Sequence, residues 1–194
     1  MVTPPDDVSP FAYLGILGGT GLTAWVGLTT VGHIAPGETV LITAAGGAVG
    51  TAAGHIARQL GAGRIIGVTG SQEKAERLLA GPFDRVINYR EENLLQALAG
   101  ADVDLALEGV GGSQLGAAIE GSKERGGRIC WVGAVAQYNH LTQPPAAPAN
   151  LFDIVGQRVR LEGHLVRSHT EERPAFEQFM EPLAQSGRYL STRR

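Results

Sequence analysis

A chain of 194 residues with 43% hydrophobic residues, 18% charged residues and a formal net charge of −3 is long enough to bury a core and has the make-up of an ordinary globular protein. That balance excludes a basic field for nucleic acid, and the single cysteine, Cys130, excludes an intrachain disulfide. No charge-free stretch approaches membrane-spanning length, and the start "MVTPPDDVSP" lacks the regions of a secretory leader, so no membrane partner and a cytoplasmic location are expected.

After this polar lead, residues 1–15, "FAYLGILGGTGLTAWVGLTTVG" predicts a turn and then a helix, with Leu22, Trp25, Val26 and Thr29 at helical spacing. "APGETVLITAA" predicts a turn into a buried strand near residues 39–44, followed by the helix "VGTAAGHIARQLG" and a second apolar strand, "RIIGVTG". Strand and helix then alternate: "SQEKAERLLAG" is a helix capped by Ser71, "RVINY" a strand, "EENLLQAL" a helix, "VDLALEGVGG" a strand. "SQLGAAIEGS" is a helix and "GGRICWVGAV" a strand, in which Cys130 reads as a buried thiol. A proline-rich loop over 137–150 leads to "LFDIVGQ", to a sixth strand in "RVRLEGHLV", and to a closing helix, "TEERPAFEQFMEPLAQSG". Strands apolar on both faces, each followed by a helix, predict an α/β fold. Its form is a doubly wound, six-stranded parallel sheet of the Rossmann kind over residues 16–194.

The 28 glycines gather at the ends of the apolar runs, where strands turn into helices. Ala44, Gly47 and Gly50 follow the first strand as A-x-x-G-x-x-G. A dinucleotide site needs small residues at such positions for the turn, for close approach of a diphosphate, and for packing of helix on strand. The same triplet also serves a tight turn without a ligand. Its place after the first strand of a six-strand alternation favours the nucleotide, with the helix N-terminus supplying N–H groups and dipole.

About twenty residues on, an NAD site usually carries an acid at the end of the second strand to hold the ribose hydroxyls. "GVTGSQEK" has Thr69, Gly70 and Ser71 there, and Lys74 within reach of a 2′-phosphate. NADP is favoured over NAD, although Lys74 alone would read as a solvated helix lysine.

"AYLGILGGTGLTAWVGL", "GETVLITAAGGAVG", "GVTGSQEK", "VINYR", "EGVGG" and "VGAVAQYN", in this order, resemble the zinc-independent medium-chain dehydrogenase/reductases of the prostaglandin reductase and alkenal double-bond reductase type. The resemblance runs from residue 11 to about 188. It implies NADPH (NADP+) as cofactor and hydride delivery to the β-carbon of α,β-unsaturated ketones or aldehydes. It implies Gly47, Ala48 and Val49 at the diphosphate, and Ser71, Lys74 and Tyr89 around the 2′-phosphate. Thr23, Val110, Val132, Gly133 and Ala134 would line the ribose and nicotinamide crevice. His164 and Leu165 would touch the nicotinamide, and Tyr138 would meet the ribose and the substrate end as the candidate catalytic residue.

No His, Cys and Asp set has metal-ligand spacing, so no metal is expected, and His55 reads as a helix-face residue. Two departures from the pattern stand out. Many relatives carry Asp-Asn before "VGG", where this chain has Glu108 and Gly109. The family's N-terminal GroES-like substrate domain is not in the sequence, so a small-molecule substrate would need walls from elsewhere, such as a separate chain. A homodimer paired through "RVRLEGHL" is expected, because that edge strand would otherwise stay open. Two other readings compete: a repurposed non-redox cyclase or isomerase with Glu108, Tyr138 and His164 as acid/base candidates, and an NADPH-binding module without chemistry.

Overall fold

The computed structural model describes residues 15–138, 146–186 and 189. The expected lead up to residue 14 and residues 139–145 of the proline-rich loop lie outside these residues. Six strands, β1 (Thr39–Ile42), β2 (Arg64–Thr69), β3 (Arg85–Asn88), β4 (Leu105–Glu108), β5 (Arg128–Trp131) and β6 (Arg160–Gly163), form one sheet in the order β3-β2-β1-β4-β5-β6. All five pairings are parallel. The doubly wound α/β architecture read from the sequence is therefore the observed one.

Parallel strands need crossovers, and the helices between successive strands supply them: α2 (Ala48–Gln59), α3 (Gln72–Leu79), α4 (Leu94–Leu98), α5 (Gly112–Gly121) and α6 (Asp153–Gln157), while α1 (Gly19–Val26) precedes β1 and α7 (Arg173–Ser186) follows β6. Because successive side chains alternate across a strand, each strand feeds both faces. Val40 and Ile42 of β1, with Leu105 and Leu107 of β4, join α1, α2 and α7 in one cluster. Leu41, Ile66, Val68, Ala106 and Ile129 join α4 and α5 in the other. Such strands have no polar face, which is why their sequences read as continuous apolar runs.

Several elements end sooner than the sequence suggests. The run "VDLALEGVGG" leaves the sheet after Glu108, because the Glu108 side chain turns back to accept the N–H groups of Val110 and Gly111. The first helix changes to a π-helical turn over Gly27–Val31, closed by the Gly32 N–H donating to the Gly27 carbonyl at 3.0 Å. Gly27 sits so close to Leu107 that a Cβ there would lie 2.5 Å from its Cδ1. That approach brings this segment onto β4. Ser71 caps α3, its hydroxyl accepting from the Lys74 N–H at 3.4 Å.

Candidate functional site

The strand order reverses between β1 and β4, and open α/β sheets bind ligands outside the carboxyl ends of the strands at such a point. A cavity of about 220 Å³ lies there, walled by Thr43, the turn Ala44–Gly50, Leu107, Gly109, Val132, Gly133, Val135 and Tyr138. Ala44 turns the chain in the left-handed region (φ 46°), and Gly47 caps α2 in extended conformation with no side-chain cap. The Thr51 N–H makes the bond to the Gly47 carbonyl, so the N–H groups of Ala48, Val49 and Gly50 precede the helix's own ladder. No acidic residue sits in that first turn. The end of α2 therefore presents donors and positive dipole to the cavity.

The two glycines of this turn differ in what confines them. A Cβ on Gly50 would lie 2.6 Å from the Ala44 carbonyl oxygen and the Ala45 Cα, so backbone packs on backbone there. A Cβ on Gly47 would meet only the Ala44 oxygen, at 3.2 Å, and otherwise open space. Gly50 is required by the fold; Gly47 keeps the cavity clear.

At one end of this cavity the aliphatic stem of Lys74 lies across Gly46, where a Cβ would stand 2.8 Å from the lysine Cδ. Lys74 itself is exposed. Tyr89 packs its phenol over Gly70, within 2.6 Å of where a Cβ would be, and closes the end of β2. Tyr89 and Val110 also line a neighbouring cavity of about 540 Å³ with Asn93, Gly111 and Gln114. At the other end Trp131, Val132, Gly133, Ala134 and Tyr138 join Gly163, His164 and Leu165 around an open cleft.

His164 and Cys130 meet beneath that cleft, Nδ1 to Sγ at 3.3 Å. Burial pushes the Cys130 thiol up to about 12, so the thiol keeps its proton beside Nδ1. Burial also lowers His164, reinforced by His169 edge-on at 5.9 Å, while the Thr23 backbone carbonyl works against the shift. His164 is thus a neutral imidazole joining the α1 segment to β5. The Thr23 hydroxyl itself is spent on the Gly19 carbonyl at 2.8 Å.

Of the residues singled out in the sequence, Gly47, Ala48, Val49, Val132, Gly133 and Tyr138 share one cavity. Ala134, His164 and Leu165 border its continuation, with Thr23 against His164. Ser71 and Lys74 line none of these cavities; the Lys74 stem packs on Gly46 of the neighbouring turn. Glu108 is a correction to its reading as an acid/base group: it is fully buried beneath the cleft and does not face it. Its Oε1 accepts from the Thr43 hydroxyl at 3.1 Å and the Val110 N–H at 2.9 Å, and its Oε2 from the Gly111 N–H at 2.9 Å. Burial raises its pKa, and these three hydrogen bonds oppose the rise. Thr43, which sequence reasoning passed over, also accepts the Gly109 N–H at 2.8 Å. The signal was available: Thr43 directly follows β1, between the strand and the glycine turn.

A 3-2-1-4-5-6 parallel sheet with a glycine-walled crevice at its switch point is the Rossmann class of nucleotide-binding folds. The chain belongs to the zinc-binding dehydrogenase family, whose model matches residues 48–184. It is 36% identical over 189 residues to 2-alkenal reductase (NADP(+)-dependent) of Nicotiana tabacum, covering 95% of this chain and 54% of that protein. It is 36% identical over 166 residues to prostaglandin reductase 1 of Mus musculus, covering 84% of this chain and 50% of that one. The crystal structure of CurA from Vibrio vulnificus in complex with NADPH superposes with a TM-score of 0.84 at 27% identity, over 98% of this chain and 58% of CurA. The chain thus spans about half the length of the curated relatives it matches.

The family's metal does not fit the residues present: among the described residues no group of three or more His, Cys, Asp or Glu side chains could hold an ion. Cys130 and His164 meet as a protonated thiol and an imidazole inside the protein. Among the described residues no helix is long and apolar enough to cross a membrane.

Proposed function

We propose that residues 16–194 form the NADPH-binding domain of an oxidoreductase that reduces the C=C bond of α,β-unsaturated carbonyl compounds. The observation that carries this reading is the crevice itself: an uncapped helix N-terminus faces a glycine-walled cavity, and the end of β2 has Thr69, Gly70 and Ser71 where an acid would select NAD, with Lys74 in the first turn of α3. The N–H groups of Ala48 and Val49 take the diphosphate, with Gly47 leaving it room. Ser71, Lys74 and Tyr89 take the 2′-phosphate. Val132, Gly133 and Ala134 wall the nicotinamide, with Thr23, Val110, His164 and Leu165 around it. Bound NADPH supplies the hydride. Tyr138, 62% exposed at the cleft edge, is the side chain that meets the substrate.

An enone must be held over the nicotinamide, with donors for its developing enolate oxygen and water excluded. The described residues provide one wall of such a chamber. A substrate-holding part, in a separate chain or elsewhere in a longer one, supplies the rest, so the domain binds the cofactor while turning over little by itself. Self-association as a homodimer is supported by β6. It pairs only with β5 among the described residues, and exposed Phe152, Val155 and Leu165 flank it in sequence. A cytoplasmic setting agrees with the buried free thiol of Cys130.

Calorimetric titration with NADPH and NADH tests the cofactor reading: NADPH binding at least about tenfold tighter than NADH is expected from one added charge-assisted contact. Absence of binding by either nucleotide overturns it. Loss of the nicotinamide absorbance with a simple enone tests the reaction.

A further inference from the structure

We infer that Glu108 is a positioning residue: with Thr43 it clamps the turn Gly109–Gly111, and through that turn it sets where Tyr138 stands over the cleft. The inference rests on the nucleotide-binding reading of the cleft, but its geometric basis is independent of it. Three consecutive N–H groups are drawn inward, Gly109 to the Thr43 hydroxyl and Val110 and Gly111 to the two carboxylate oxygens. The carbonyls of the same turn face the other way. The Val135 N–H donates to the Gly109 carbonyl at 3.1 Å and the Ala136 N–H to the Val110 carbonyl at 3.0 Å. The short turn Val135–Gln137, which delivers Tyr138, therefore rests on the clamped turn.

The Tyr138 side chain is 62% exposed, and among the described residues its hydroxyl accepts from the Ala134 N–H at 3.5 Å. The Trp131 indole donates to the Gly133 carbonyl at 2.6 Å and lies beside Gly111, which takes the left-handed conformation (φ 79°) that the clamp requires. The chain of support thus runs from the end of β1, through Thr43 and Glu108, to the β4 turn and on to the β5 turn. It has a second consequence for the cleft. With all three N–H groups of the β4 turn consumed, Gly109, Val110 and Gly111 offer no anion site of their own.

Every donor around the side chain is aimed at an acceptor, so an isosteric amide cannot replace it: Glu108→Gln turns an NH₂ group toward an N–H on one side. The test is amide hydrogen exchange across the chain together with NADPH affinity by nicotinamide fluorescence. In Glu108→Gln, exchange is expected to quicken about tenfold or more in both 109–111 and 134–138, with α7 unchanged, and NADPH affinity is expected to fall about tenfold. Faster exchange confined to 109–111, or spread evenly over the sheet, overturns the inference. So does unchanged affinity in a chain whose wild type binds. Should Glu108→Gln fail to fold, Thr43→Val must perturb the same two segments while Thr43→Ser leaves them as in wild type; equal behaviour of the two overturns it. Failure of the wild type to bind NADPH overturns the nucleotide reading instead, and the exchange pattern still decides the role of Glu108.

Discussion

Gly47 and Gly50 occupy the same turn for different reasons, and substitution separates them. Gly50→Ala drives a Cβ into the backbone of Ala44 and Ala45 and is expected to lower stability by roughly 1–3 kcal/mol, the usual cost of overpacking, in a denaturant melt. Gly47→Ala needs only a few tenths of an ångström from one carbonyl oxygen. Its stability should change by less than about 1 kcal/mol while NADPH affinity falls at least about tenfold, because a methyl group then stands where the diphosphate approaches. A parallel loss in both quantities for both variants would show that the cavity is not a ligand site. Lys74→Ala should weaken NADPH far more than NADH in the same titration; equal losses would remove Lys74 from the phosphate end.

Helix α7 closes one face of the sheet by setting Phe176 against α1, 6.3 Å from the Trp25 ring centroid and fully buried. Phe176→Ala should cost about 3–5 kcal/mol, read as a shift of the urea midpoint. Helix α2 carries a pH dependence. Burial lowers His55 to about 4, so the unfolded chain takes up a proton at higher pH than the folded one. The stability this neutral imidazole contributes is fully present above the ordinary histidine value of 6.5 and is lost as pH falls from there toward 4. His164 is shifted the same way, so both act in one sense. Glu108, raised by burial, runs opposite in its own range and partly offsets them. The urea midpoint should therefore fall between pH 7.5 and pH 5, and His55→Gln should flatten the slope. A slope unaltered in that variant would place the titration elsewhere.

The molecule as a whole responds to its ligand by mass action. A nucleotide that binds only the folded state at a hundred times its Kd stabilises by about 2.7 kcal/mol, so NADPH should raise the melting temperature and NADH, at equal concentration, should raise it less. The open edge of β6 predicts concentration-dependent sedimentation toward a dimer. A monomer at all concentrations would show that Phe152, Val155 and Leu165 meet something other than a second copy.

Much of this was legible along the chain. Continuous apolar runs such as "RIIGVT" read as strands covered on both faces because they are short, rich in β-branched residues and ended by glycine, so a parallel α/β sheet was legible from pattern and punctuation. The tight turn into α2 was equally readable, because A-x-x-G-x-x-G is a local motif and its backbone geometry is local too. The missing acid after β2 was local for the same reason. Glu108 was not. Its neighbours in sequence place it at a strand end beside a glycine turn, where an acid could as well face the cleft as the core. The parallel pairing of β1 with β4 brings Thr43, 65 residues away, against it and turns both inward. Likewise His164 and Cys130, 34 residues apart, became a buried pair only when β6 was laid beside β5. Properties carried by short-range backbone geometry survive in the one-dimensional text. The direction of a buried charge depends on which distant strand is its neighbour, and only the packed sheet settles that.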